Sequence, residues 1–252
     1  MRNFNRKYNE LRKINIIKDF NEFSDGSCLI SFGRTKVLCN ATIESSVPAW
    51  LKGQNKGWVT AEYSMLPGST NVRNQRESKL GKRSGRSIEI ERLIGRSIRS
   101  ITNLEKIPGI QIILDCDVLQ ADGGTRTTSI NGAFIALSLA IKKGIKNKII
   151  CKNPIKQKIA AISCGLIKEK FLLDLDFKED QNTIADANFI LSERKEIIEI
   201  QLSGEKRPLS KSEFETMFDL AEKGINQIID LQTRLIHDSY NIKKRKNFNS
   251  HT

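Results

Sequence analysis

GIQIILDCDVLQADGGTRTTSINGAFIALSLAIKKG, residues 109–144, decides the fold. Residues 109–119 are an apolar run rich in isoleucine and valine, which predicts a central strand. Residues 120–128 are polar and contain Gly123-Gly124, which predicts a loop. Residues 129–143 are small and apolar, and they predict a helix that stops at Gly144 behind two lysines. Strand, loop and helix in that order make the loop a place for a ligand. Two glycines let successive N–H groups turn towards one point, Thr125 adds a hydroxyl and Arg126 a guanidinium fork. The positive end of the helix lies close by. All of this favours a single phosphate. A Gly-Gly turn before a helix is more often only a tight connection, so the weight of this one comes from its surroundings.

Upstream, residues 27–32 and 36–43 are strand-like runs joined by Gly33-Arg34-Thr35, short enough for a hairpin. Residues 57–63 (GWVTAEY) alternate apolar and polar as a half-buried strand does. Residues 68–86 (GSTNVRNQRESKLGKRSGR) have almost nothing apolar and predict a long exposed loop, a length usually tied to function or disorder. Ile90, Ile94, Ile98 and Ile101 then recur at helical spacing, with Arg92, Arg96 and Arg99 between them. Downstream, residues 158–167, 171–176, 188–192 and 196–202 predict two further hairpins. Ser210 with Glu213 forms a capping box ahead of an apolar stripe from Phe214 to Leu235, which predicts a long closing helix. Two similar strand-rich halves define an α+β fold class, pseudo-duplicated, in one domain over residues 1–240. Residues 241–252, with Lys243-Lys244-Arg245-Lys246, carry no core signal and predict a basic disordered tail.

The chain has 252 residues, 38% of them apolar, enough for one sizeable core. No apolar stretch approaches the ~20 residues of a membrane span, and residues 1–9 lack a secretory apolar segment, so the expected location is cytoplasmic, with no membrane partner. The five cysteines include no CxxC pair and predict small core hydrophobes in a reducing compartment. The two histidines, His237 and His251, lie near the end, which removes Ser–His–Asp and HExxH chemistry.

Net charge is +13, and residues 68–99 hold nine cations against three acids. A charge run is often only a solvated face, but clustering on one loop and its following helix points to a polyanion. The prevalence of arginine suits phosphate oxygens. A Walker loop fails because Arg76 and Arg83 stand where Gly and Ser or Thr are required, and no GxGxxG exists. Asp174, Asp176, Glu179, Asp180 and Asp186 form an acidic group whose spacing does not fit an EF-hand. At most two of the five are expected to matter, as Mg²⁺ ligands or general acids.

Residues 57–67 (GWVTAEYSMLP), 81–100 (GKRSGRSIEIERLIGRSIRS), 115–133 (DCDVLQADGGTRTTSINGA) and 32–53 (FGRTKVLCNATIESSVPAWLKG) closely resemble the ribonuclease PH family of phosphorolytic tRNA nucleotidyltransferases, over about residues 11–235. The resemblance implies a fold shared with polynucleotide phosphorylase and exosome subunits, and removal of 3′-terminal nucleotides of tRNA precursors and other RNA as nucleoside diphosphates, with inorganic phosphate as co-substrate. It implies phosphate binding by Arg86, Gly124, Thr125 and Arg126. Asp180 and Asp186 match the carboxylates for Mg²⁺ and leaving-group protonation, and Arg73 and Arg76 match tRNA-binding positions. It also implies a homohexamer built as a trimer of dimers. Gly68 stands where the family usually has arginine, Leu202-Ser203-Gly204 where it reads Gly-Thr-Ala, and Arg83 where glutamine is common. The rival readings are a non-catalytic RNA-binding ring subunit of the same fold and a hydrolytic Mg²⁺ exonuclease.

Overall fold

A computed structural model describes residues 2 and 5–238 of the chain. Five strands, β1 (Ile14–Lys18), β2 (Gly26–Phe32), β3 (Thr35–Glu44), β4 (Trp58–Met65) and β5 (Gln111–Gln120), form a sheet in the order β1-β2-β3-β5-β4. β4 runs parallel to β5 and every other pairing is antiparallel. The run read as a central strand is indeed inside the sheet, between β3 and β4. Its alternation turns Ile112, Leu114, Cys116 and Val118 into the core and leaves Asp115 and Asp117 half-buried on the other face.

The second sheet is antiparallel throughout, in the order β7-β6-β8-β9: β6 (Ile159–Ile167), β7 (Lys170–Leu173), β8 (Ala185–Ser192) and β9 (Ile197–Ser203). β6-β7 and β8-β9 are the two expected hairpins. Helices α1 (Glu77–Leu80), α2 (Gly85–Ser100), α3 (Thr125–Lys146), α4 (Phe177–Asp180) and α5 (Lys211–Asp238) complete the fold. α3 packs on β2, β3 and β5 of one sheet and on β6 of the other. A helix between two sheets has no solvent face along most of its length, hence the small and apolar residues from Ile130 to Ile141. α5 opens with the expected capping box, Ser210 N–H donating to Glu213 Oε2 at 2.8 Å and Glu213 N–H to Ser210 Oγ at 3.2 Å.

Several expectations need correction. The helix read as residues 129–143 starts at Thr125 and ends at Lys146, with Asn147 as its C-cap, so Gly144 is an interior residue and not the cap. Gly144 is kept small by packing, because a Cβ there would sit 3.0 Å from Ile150 Cδ1 and 3.1 Å from Ile43 Cδ1. The stretch 68–86 is interrupted by α1, and α2 already begins at Gly85. Asp174 and Asp176 lie beyond β7 instead of within it. β1, an edge strand, has no counterpart in the sequence reading. Four cysteines are buried as expected, but Cys151 is exposed. The basic tail lies outside the described residues. No helix among the described residues is long and apolar enough to cross a membrane.

Candidate active site

The loop between β5 and α3 is pressed against the start of α4. Gly123 (φ +75°) and Gly124 (φ +64°) occupy left-handed backbone, and a Cβ on Gly123 would stand 2.6 Å from the Asp176 carbonyl carbon and 2.7 Å from Leu175 O. Glycine is therefore required here twice over, by backbone angle and by space. The turn delivers Gly124 as the N-cap of α3 and puts Thr125 and Arg126 in its first turn, where unpaired N–H groups and the helix dipole face an anion.

A cavity of about 490 Å³ opens there, bordered by Arg86, Gly124, Thr125 and Arg126 together with Asp180 and Asp186. Arg86 arrives in the first turn of α2, capped by Ser84, whose Oγ accepts the Ser87 N–H at 3.0 Å. Asp180 ends α4 and Asp186 sits on β8, so residues from three helices and the second sheet meet in one space. Thr125 is buried and its Oγ1 accepts the Tyr63 hydroxyl at 3.0 Å. Arg126 is held by Gln201 on β9, Nη1 to Oε1 at 2.6 Å, with Glu89 at 3.4 Å. Such a fork is oriented before any ligand arrives.

Burial pushes the Asp180 carboxyl above its ordinary pKa, partly offset by Arg86 and Arg126. Burial raises Asp186 too, reinforced by the charge of Asp180 and by Glu205. Each is therefore more ready to hold a proton or to welcome a cation than a surface carboxylate is. Among the described residues no three His, Cys, Asp or Glu side chains gather tightly enough to cage a metal. Mg²⁺ needs no cage, since one or two carboxylates with waters and substrate phosphates suffice, and this pair beside an open anion site fits it.

Of the five clustered acids, the other three are spent on structure. Asp174 pairs with Arg12 (Oδ1 to Nη2, 2.7 Å), Asp176 caps α4 in a box with Glu179, and Glu179 is ion-paired to Arg2 and Arg6. Arg73 and Arg76 do not border the cavity. They stand exposed on the loop after β4, whose root is tied to the glycine loop before α3 by the Ala121 N–H donating to Ser69 O at 2.8 Å. The sequence reading missed Ser163, Thr183, Asn188, Glu205 and Lys206, which also border the cavity. Only Asn188 carried a signal, lying two residues from Asp186 on the same strand face.

The 3′ exoribonuclease family model for domain 1 matches residues 10–142, and that for domain 2 matches residues 158–224. Ribonuclease PH of Caulobacter vibrioides is 48% identical over 236 residues, covering 94% of this chain and 99% of the relative. Ribonuclease PH of a Hydrogenobaculum strain is 48% identical over 248 residues, covering 98% of this chain and 97% of the relative. Among solved structures, rice Rrp46 superposes with a TM-score of 0.76 at 18% identity, covering 92% of this chain and 98% of that one. An Archaeoglobus fulgidus exosome chain, solved with RNA bound to the active site, gives 0.72 at 18%, covering 89% and 90%. At that identity the two structures speak for the fold alone.

Proposed function

Because the chain belongs to the ribonuclease PH family of 3′ exoribonucleases, we propose that it is a phosphate-dependent 3′-to-5′ exoribonuclease that trims tRNA precursors, with Arg86, Gly124, Thr125 and Arg126 as the phosphate site and Asp180 and Asp186 as the carboxylates of the reaction. The observation that carries the residue assignment is the meeting of an arginine-lined helix N-terminus and two carboxylates with raised pKa values around one cavity.

The chemistry follows from charge. Inorganic phosphate and an RNA phosphodiester repel each other, and much of the barrier is that repulsion. Preorganised cations and N–H dipoles at the cavity lower it, an arginine in such a site being worth ~10³-fold or more in rate. A phosphate oxygen attacks the 3′-terminal phosphorus, and the bond to the 3′-oxygen of the penultimate nucleotide breaks in line. The products are a nucleoside diphosphate and an RNA one nucleotide shorter whose 3′-oxygen has taken up a proton. The nucleophile arrives ionised, so no histidine base is needed. Asp180 and Asp186 supply the proton or hold a cation between them, and their raised pKa values suit both tasks. Mg²⁺, when bound there, would withdraw charge from the phosphate oxygens.

Arg73 and Arg76, away from the cavity, are free to grip the body of the tRNA. Assembly as a homohexamer would set several such loops around one substrate and multiply weak contacts. The four buried free thiols suit a reducing cytoplasm. The test is product analysis on a tRNA precursor with Mg²⁺. Nucleoside diphosphates should appear only with inorganic phosphate, and excess diphosphate should lengthen the 3′ end. Monophosphates released without phosphate would establish hydrolysis instead, and RNA binding without turnover would establish the non-catalytic reading.

A further inference from the structure

The phosphate loop belongs to the first sheet and the carboxylates to the second, so their separation must be set by something that touches both. Arg12, just ahead of β1 and only 3% exposed, does so. Its Nη1 donates to Asp122 O at 2.6 Å and Gly123 O at 3.3 Å, while its Nη2 donates to Asp174 Oδ1 at 2.7 Å. The Arg12 backbone N–H donates to the other oxygen, Asp174 Oδ2, at 2.7 Å. Thr35, fully buried at the start of β3, is a second pin. Its Oγ1 donates to Gly123 O at 2.7 Å and accepts the Asp122 N–H at 2.9 Å.

On the far side, Asp174 opens the segment that runs through α4 to Asp180. That segment is strapped by Arg6 (Nη1 to Asp174 O, 2.9 Å) and Arg2 (Nη2 to Leu173 O, 2.7 Å; Nε to Glu179 Oε1, 2.7 Å). Burial opposes the Arg12 charge, but Asp174, with Asp122 and Asp176, more than offsets it. The pair is thus a fixed ionic staple within the fold.

In a trans peptide the C=O and the following N–H point in opposite directions. Drawing the carbonyls of Asp122 and Gly123 back towards Arg12 and Thr35 therefore aims the N–H groups of Gly123 and Gly124 the other way, off the staple. We propose that Arg12 is a positioning residue for inorganic phosphate, with Thr35 as its second pin. It orients the amides of the glycine loop and, through Asp174, fixes the distance from that loop to Asp180. The inference rests on the phosphorolytic reading and goes beyond it, because it assigns phosphate affinity to a side chain that does not border the cavity.

The experiment measures KM for phosphate and for a short oligoribonucleotide, kcat and thermal midpoint in Thr35→Val, Thr35→Ser, Arg12→Lys and Arg12→Ala. Thr35→Val should raise the phosphate KM by about tenfold or more while the RNA KM stays within about twofold. Thr35→Ser should sit near wild type. Arg12→Ala should show the same selective loss, and added guanidinium ion should restore it. Arg12→Lys, a point charge without the fork, should not recover the wild-type KM. Thr35→Val keeps the proposal open to refutation if Arg12→Ala does not fold. A lowered thermal midpoint with an unchanged phosphate KM in the folded fraction would overturn it, as would equal shifts in both KM values. Release of monophosphates by the wild type without phosphate would remove the functional reading itself, and this inference with it; that result is seen before any variant is made.

Discussion

Replacing Gly123 by alanine tests the phosphate loop at its tightest point. The position has φ +75°, and a left-handed conformation costs an L-residue about 1–2 kcal/mol. The added Cβ would also meet three backbone atoms of the segment before Asp180, at 2.6 Å (Asp176 C), 2.7 Å (Leu175 O) and 2.8 Å (Phe177 N). Backbone cannot rotate away, so an overpacking cost of about 1–3 kcal/mol adds to the strain. The control is Gly81→Ala, at nearly the same angle, φ +65°, with nothing within 4 Å, where only the strain remains. Gly124→Ala falls between the two, because its nearest neighbour is the end of the Arg12 side chain at 2.8 Å. At a fixed protein concentration, thermal unfolding should fall by on the order of 10 °C for Gly123→Ala and on the order of 3 °C for Gly81→Ala. The phosphate KM should rise in Gly123→Ala, because the loop is levered off the segment that carries Asp180, and stay unchanged in Gly81→Ala. Equal midpoints for the two variants would refute the packing argument, and a normal phosphate KM in Gly123→Ala would refute its link to the site.

Asp180→Asn or Asp186→Asn should lower kcat by at least ~10²-fold with little change in RNA affinity. Because burial raises both folded-state pKa values, ionisation is disfavoured by the fold. Each carboxylate therefore subtracts stability above the ordinary carboxylate range, and the penalty fades as pH falls through the raised value. Both variants should accordingly unfold at a higher temperature than wild type near pH 7, with the gap closing in acid; near-normal turnover and no gap would remove the assignment. Arg73→Ala and Arg76→Ala should weaken tRNA binding and flatten its log–log salt dependence by about 0.7–0.9 per lost phosphate contact. Gly68→Arg should tighten it, since Gly68 is exposed with nothing near its Cβ position; unchanged affinity and salt slope across this set would make the loop structural.

What was legible in the sequence was what repeats locally. Alternation along β4 reports a buried and a less buried face, and the apolar runs of β2, β3 and β5 report strands. The isoleucines of α2 report a stripe, and Ser210 with Glu213 reports a helix start, each set by neighbours a few residues away. Where a local signal had two causes, the wrong one was read. Thr125, Thr127 and Thr128 look like loop because they are polar, yet they are buried helix whose first turn faces the cavity. Gly144 looks like a cap, yet it is small because Ile43 and Ile150 press on it.

The sequence by itself determined the two strand-rich halves, the family motifs and the residue types around a phosphate. The family motifs singled out Asp180 and Asp186, but tertiary structure alone decided that these two border the cavity while the other clustered acids are consumed by Arg2, Arg6, Arg12 and the cap of α4. It alone gave Arg12 its place, since in sequence that residue is one cation in a basic N-terminus. The reason is range. Periodicity records which side of an element meets the core, whereas a buried charge is defined by a partner that can lie anywhere along the chain, here 162 residues away at Asp174.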